Sequence, residues 1–167
     1  EWAKIKSTFP GQQAPAVVMP NGEQLGGSTP LICYLGQKLG FAGDTPEDAY
    51  HCHRVIDLCN DLLTGFAEVA GPFVKDRVAG AEKFKKNQPA NLDRLTEILN
   101  KKPFFVANKL TIADIACAKG IEDILLNDDI KCVLEKYPEL VKHQKSVYET
   151  NGIKQYIAKG YRGANTL

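Results

Sequence analysis

The sequence lacks an excess of charge of either sign. It has 21 Lys and Arg residues against 20 Asp and Glu residues, which gives a formal net charge of +1. Such a balance gives no electrostatic reason to expect nucleic acid or an anionic membrane as a partner. No apolar run approaches the length needed to cross a bilayer. The sequence therefore predicts neither a nucleic-acid partner nor membrane insertion.

Several common catalytic motifs are also missing. The sequence contains no GxSxG, no phosphate-binding loop and no dinucleotide fingerprint, and "GGST" at 26–29 lacks the lysine and spacing of a phosphate loop. The cluster "HCH" at 51–53 is a poor metal site. Residues two apart point to different sides of a helix, whereas ligands of one metal need a spacing of three or four. We predict that Cys52 faces the core, and we predict no metal ligand.

Cysteine and methionine usage bears on the cellular compartment. The five cysteines are odd in number, scattered, and set mostly among apolar neighbours. This pattern favours reduced, buried thiols over a disulfide framework and predicts a cytoplasmic protein. The chain opens on Glu1-Trp2 and its one methionine is Met19. This beginning is typical of the middle of a protein, so targeting to an organelle by a segment further upstream stays open.

What the sequence does contain is one hairpin followed by helices. The apolar run 14–19, the turn residues 20–22 and a short return through Leu25 predict the hairpin. Thr29 as a cap and Pro30 at the first helical position predict a helix that ends at Gly40. The apolar spacing then predicts helices over 47–70, 81–87, 89–99 (joined to the previous one or separate), 111–126, 131–134, 139–148 and 153–159.

Three details of the helical part can be checked directly. The short run 103–106 is the one candidate strand in this part. Thr111 and Asp114 have the spacing of a capping box at the start of helix 111–126. The helix 47–70 is predicted to bury one side, which carries Cys52, Val55, Ile56, Cys59, Leu62, Leu63 and Phe66.

Two features each allow a structural and a functional interpretation. The glycines, hydroxyls and proline at 26–30 suit a loop that closes onto a capped helix. They also suit an anion pocket, because a helix N-terminus offers unpaired N–H groups and partial positive charge. Asp57 and Asp61 lie four residues apart on one helix face. They are either a solvated face or carboxylates held out for a cationic ligand group or a partner chain.

The order of these features resembles a known family. The segment "WAKIKSTFPGQQAP", the hairpin, a Ser-led helix start, a long helix and "PFFVANKLTIADIA" follow one another. The whole chain is similar to cytosolic glutathione transferases of the sigma, mu, pi and alpha type. The resemblance implies an α+β, mostly helical fold. A partial thioredoxin-like domain, hairpin plus helix, would span residues 1–43, and an all-helical C-terminal domain residues 44–167. It also implies a homodimer or a subunit of a protein complex.

The resemblance further implies glutathione as substrate or ligand and assigns its contacts. Trp2 and Lys6 would donate to the glycyl carboxylate, and Gln13 belongs to the same pocket. The backbone of Ala14, beside the family's cis-proline at Pro15, would pair with the cysteinyl part. Ser28 would bind the γ-glutamyl carboxylate, and Asp61 of the neighbouring subunit would reach the γ-glutamyl ammonium.

Two departures from the family pattern leave the activity open. Gly27 stands where the family usually has Gln. The strand–helix–strand unit that carries the catalytic Tyr or Ser is missing from this chain, and Tyr34 and Tyr50 do not occupy its place, so no catalytic residue is assigned. One function is a glutathione transferase that, given such a unit in the native protein, conjugates glutathione to hydrophobic small-molecule electrophiles. The other is a catalytically inactive structural or assembly subunit.

Overall fold

A computed structural model describes residues 2–72 and 74–160, without the side chains of Trp2 and Pro10. The described part begins with a short helix, α1 (Trp2–Ile5), and two 3-10 turns at Lys6–Thr8 and Pro10–Gln12. The predicted hairpin follows and is confirmed as β1 (Ala16–Val18) and β2 (Gln24–Gly26), paired antiparallel. Its turn is closed by the N–H of Met19, which donates to the carbonyl of Glu23 at 2.8 Å.

The rest of the described chain is helical. The helices are α2 (Ser28–Lys38), α3 (Pro46–Ala70), α4 (Arg77–Asn87), α5 (Pro89–Leu99), α6 (Ile112–Leu125), α7 (Pro138–Glu149) and α8 (Asn151–Ala158), with a 3-10 helix at Lys131–Lys136. Residues 81–99 thus form parts of two helices. The predicted strand at 103–106 is wrong, since these residues form bends. No helix in the ranges 2–72 and 74–160 combines the length and apolarity that a membrane span requires.

The long helix α3 lies at the centre of the fold. It begins with a capping box, in which the N–H of Asp48 donates to the Thr45 hydroxyl and the N–H of Thr45 donates to the Asp48 carboxylate. Six of the seven residues predicted to be buried on its inner side are buried. The seventh, Leu63, is 54% exposed. The inner face of α3 therefore does not include Leu63 within the described residues.

Helix α6 joins the other helices into one core. It packs against α3 and α7 and also contacts α2. Its inner face is almost entirely buried, with Ile112, Ala113, Cys117, Ala118, Ile121 and Ile124 each at most 5% exposed. Because α6 touches both α2 and the helices behind it, it helps to position α2 on the helical core.

Asp114 connects the start of α6 to two other segments. Its side chain is fully buried, and its Oδ2 accepts hydrogen bonds from the N–H and the hydroxyl of Thr111, both at 2.8 Å. The predicted capping box therefore forms. The Oδ1 atom accepts from the N–H of Phe105 and contacts Nε2 of His143 on α7, both at 2.9 Å. A buried carboxylate is stable only with such partners, and Asp114 has four.

Replacing Asp114 should therefore destabilise the whole helical part. We expect Asp114→Asn to lower the free energy of unfolding by about 3 kcal/mol, because an amide NH₂ group would face donors that need an acceptor. Urea unfolding followed by circular dichroism measures the change. Asp129→Asn is the control, since Asp129 is exposed and we expect a change within about 0.5 kcal/mol there. Equal stability of the two variants would contradict this role of Asp114.

Candidate functional site

The candidate site is the junction between the hairpin and the first turn of α2. The N–H of Gly27 donates to the carbonyl of Pro15 at 3.1 Å, which continues the pairing of Ala16 with Gly26. The Ala14–Pro15 peptide bond is cis, as the resemblance implies. Ser28 is the first residue of α2 and is exposed. Three of the predicted contacts, Ala14, Pro15 and Ser28, are thus brought to one end of the hairpin.

The start of α2 differs from the prediction in one respect. Gly27, not Thr29, is the N-cap, and no side chain caps the helix. The hydroxyl of Thr29 instead accepts a hydrogen bond from the Asn60 amide of α3 at 3.1 Å. Pro30 is accordingly the third residue of the helix rather than the first. The first N–H groups of a helix have no intrahelical acceptor, so those of Ser28 and Thr29 remain directed out of its N-terminal end.

Gly27 takes a backbone conformation that favours glycine. Its φ is +93° and its ψ 131°, a region that residues with a Cβ rarely adopt. A Cβ there would lie 3.4 Å from Cδ of Pro30, which is ordinary contact, so the conformation and not the space is restrictive. Glycine, in place of the Gln that the family usually has here, therefore suits the backbone conformation at this position.

Helix α2 is held in place by α6. A Cβ at Gly36 would lie 2.7 Å from Cγ2 of Ile112, so only glycine allows this approach. The N–H of Ile112 also donates to the carbonyl of Phe41 at 2.8 Å. Sequence reasoning missed both this contact and the Thr29–Asn60 bond. The glycine inside a helical pattern was the one available signal for the close approach.

The remaining predicted contacts are further from this junction along the chain. Lys6 lies in the first 3-10 turn, and Gln13 follows the second with extended backbone; both side chains are exposed. The side chain of Trp2 lies outside the part of the chain that the structure describes. The common contact of Lys6, Gln13 and Ser28 with one ligand stays a prediction.

Asp61 is exposed on α3, next to the residue that contacts α2. It lines a polar cleft of about 270 Å³, together with Lys83, Asn87 and Gln88. It makes no ion pair within residues 2–72 and 74–160. The predicted action of Asp61 on the ligand of a neighbouring subunit stays a prediction.

Cys33 is the thiol nearest to this junction along the chain. It lies on α2 and is half-buried. Burial raises its pKa, and the Asp57 carboxylate raises it further, because both disfavour the negatively charged thiolate. A thiol of raised pKa is mostly protonated at neutral pH and is a weak nucleophile. The surroundings of Cys33 therefore do not activate it as a nucleophile.

Comparison with known proteins decides the family. A model of the family "Glutathione S-transferase, C-terminal domain" matches residues 60–160. Glutathione S-transferase 4 of Caenorhabditis elegans is 29% identical over 170 residues, which cover 95% of this chain and 79% of that protein. The chain belongs to the glutathione S-transferase family. Its relatives in the family use glutathione as substrate or ligand.

Solved structures of the family support the fold. A glutathione S-transferase structure of Caenorhabditis elegans superposes on this chain with a TM-score of 0.78 at 28% sequence identity. The superposition covers 95% of this chain and 80% of the Caenorhabditis elegans chain. The α+β, mostly helical prediction, with a partial thioredoxin-like part before the helices, is thereby confirmed. Another relative carries a different kind of name: S-crystallin 4 of Enteroctopus dofleini is 24% identical over 97% of this chain and 81% of that protein.

The conformation of Gly27 yields a test of the junction. We expect Gly27→Ala to lower the free energy of unfolding by about 1 kcal/mol or more, because alanine is strained at this φ. Gly120→Ala is the matched control, since Gly120 lies within α6 with open space around its Cα. There alanine should stabilise the protein by about 0.5 kcal/mol. Thermal unfolding of both variants measures the difference, and a stabilising Gly27→Ala would show that the assigned backbone is wrong.

Proposed function

We propose that this chain binds glutathione at the junction of the hairpin and α2, and that glutathione bound there is conjugated to hydrophobic electrophiles. Residues 1–43 would be the glutathione-binding domain and residues 44–167 the helical domain that adjoins the electrophile. Membership of the family makes this the natural class of ligand. The single observation that carries the proposal is the exposed Ser28 at the first position of α2, directly after the Gly27–Pro15 hydrogen bond.

The chemistry of this junction suits a γ-glutamyl carboxylate. The Ser28 hydroxyl and the N–H groups of the first helical turn are donors, and the helix N-terminus carries partial positive charge. The backbone of Ala14 is exposed beside β1 and would pair in a strand-like manner with the cysteinyl part. The Lys6 ammonium, with Gln13 and the Trp2 indole, would take the glycyl carboxylate. Each anionic end of the tripeptide would thus meet donors.

The conjugation step requires a thiolate. A hydrogen-bond donor near the glutathione sulfur lowers the thiol pKa, and the thiolate then attacks the electrophile. No residue of this chain is assigned that role. Turnover therefore depends on a donor beyond the seven proposed contacts, whereas binding does not.

A second function has its own support. In this interpretation the chain is a catalytically inactive structural or assembly subunit of a larger complex. Gly27 offers no side chain to a ligand, and the relative named S-crystallin 4 shows that the family includes proteins not named as transferases. Exposed apolar side chains also lie on α2 and its C-terminal end, namely Leu35, Leu39 and Phe41. They offer a surface for a partner chain.

Ser28 provides the direct test of binding. We expect Ser28→Ala to weaken glutathione binding by about tenfold, the value of one hydrogen bond to a charged group. Because Ser28 makes no capping hydrogen bond, the melting temperature should not change. Calorimetry and retention on immobilised glutathione measure the binding, with Ser7→Ala as the control at another exposed serine. Unchanged affinity of Ser28→Ala would contradict the proposed site.

The same preparation separates the two functions. Retention on the resin together with turnover of a generic aromatic electrophile supports the transferase. Retention without turnover supports the inactive subunit. Absence of both contradicts every residue assignment made for glutathione.

Asp61 has an unusually close control in Asp57, which lies one turn earlier on the same helix and is also exposed. We expect Asp61→Asn to weaken glutathione binding by about tenfold, because the ammonium of the ligand would lose its ionic partner. Asp57→Asn should change the affinity by less than about twofold. Since Asp61 is proposed to act on the neighbouring subunit's ligand, its effect should vanish at dilutions where the chain is monomeric. Equal affinities of the two variants would contradict the role of Asp61.

A further inference from the structure

A basic cleft lies between the turn after α5 and one face of α7. It has a volume of about 400 Å³. The turn contributes Lys101 and Lys102, and α7 contributes Lys142, His143 and Ser146. The spacing 142, 143 and 146 places these three on one side of the helix. None of these residues is among the seven proposed glutathione contacts.

The charges around this cleft are not balanced. Three lysines and one acidic residue, Glu139, line it. None of these four residues makes an ion pair within residues 2–72 and 74–160, although six other lysines of that part do. A concave surface with excess positive charge raises the local concentration of anions.

His143 adds a buried polar atom to the wall of the cleft. The residue is 4% exposed, and its Nε2 lies 2.9 Å from Oδ1 of Asp114. Because an ionised carboxylate only accepts, Nε2 carries the hydrogen of this bond. The other ring nitrogen, Nδ1, is buried and has no partner within the described residues. His143 therefore places a polar ring beside the lysines, with one of its two nitrogens paired within the described residues.

We propose that this cleft is a binding site for a phosphate-type oxyanion. The phosphate oxygens would lie among the ammonium groups of Lys101, Lys102 and Lys142, and the Ser146 hydroxyl would donate to one of them. His143 lines the same cleft, so a phosphate bound among the lysines would alter the surroundings of its imidazole. The source is either free inorganic phosphate or a phosphomonoester, and the volume leaves room for the organic part of the latter.

Titration of the chain with inorganic phosphate and with glycerol 3-phosphate tests the proposal. The controls are glycerol and sodium chloride at matched ionic strength, because surface charges alone respond to salt. We expect saturable binding in calorimetry and a change of the His143 imidazole ¹⁵N signals that glycerol and chloride do not produce. Tighter binding of glycerol 3-phosphate identifies a phosphomonoester site, and tighter binding of inorganic phosphate identifies a free-phosphate site.

A pair of double variants makes the test specific to the cleft. Lys101→Gln with Lys142→Gln should weaken phosphate binding by about fivefold or more. Lys136→Gln with Lys145→Gln removes the same charge from exposed positions outside the cleft and should change the affinity by less than about twofold. All four side chains are exposed, so both variants should fold. Equal weakening in the two variants, binding that does not saturate, or unchanged His143 signals would each overturn the proposal.

Discussion

The buried carboxylate of Asp114 is the interaction on which the arrangement of this protein depends. It is fully buried and accepts from Thr111, from the loop at Phe105 and from His143 of α7. An ionised group in an apolar core is tolerated only when all of its partners are in place. The start of α6, the preceding loop and α7 are therefore ordered together, or none of them is.

The candidate glutathione site depends on the Asp114 hydrogen bonds indirectly, through Ile112. The residue after the Thr111 cap, Ile112, packs against Gly36 and donates its N–H to the carbonyl of Phe41. Both contacts fix α2 on α6, and the Thr29–Asn60 bond fixes the start of α2 on α3. Ser28 is thus positioned by helices far along the chain. The capping box at the start of α6 therefore also helps to position the candidate glutathione site.

The two ends of the Asp114 network serve different surfaces. Through α6 it supports the junction of the hairpin and α2, where the proposed ligand is a tripeptide with two carboxylates. Through His143 it reaches the lysine-lined cleft beside α7, where the proposed ligand is a phosphate. Both proposed ligands are anionic although the net charge of the chain is only +1, because local arrangement and not total charge creates these sites.

The sequence by itself determined the elements whose signals are local. The hairpin, the long amphipathic helix and the capping box at Thr111 depend on local patterns in the sequence. The family resemblance depends on the order of such patterns along the chain. Only the tertiary structure decided the features whose partners are distant in the chain. Thr29 was predicted as a cap but bonds Asn60, 31 residues away. Leu63 was predicted as core but is 54% exposed. His143 contacts Asp114 across 29 residues. The run 103–106 has strand-like composition, yet the N–H of Phe105 is taken by the Asp114 carboxylate. A residue's neighbours along the chain limit its conformation, but the partner of its hydrogen-bonding atoms is chosen by packing.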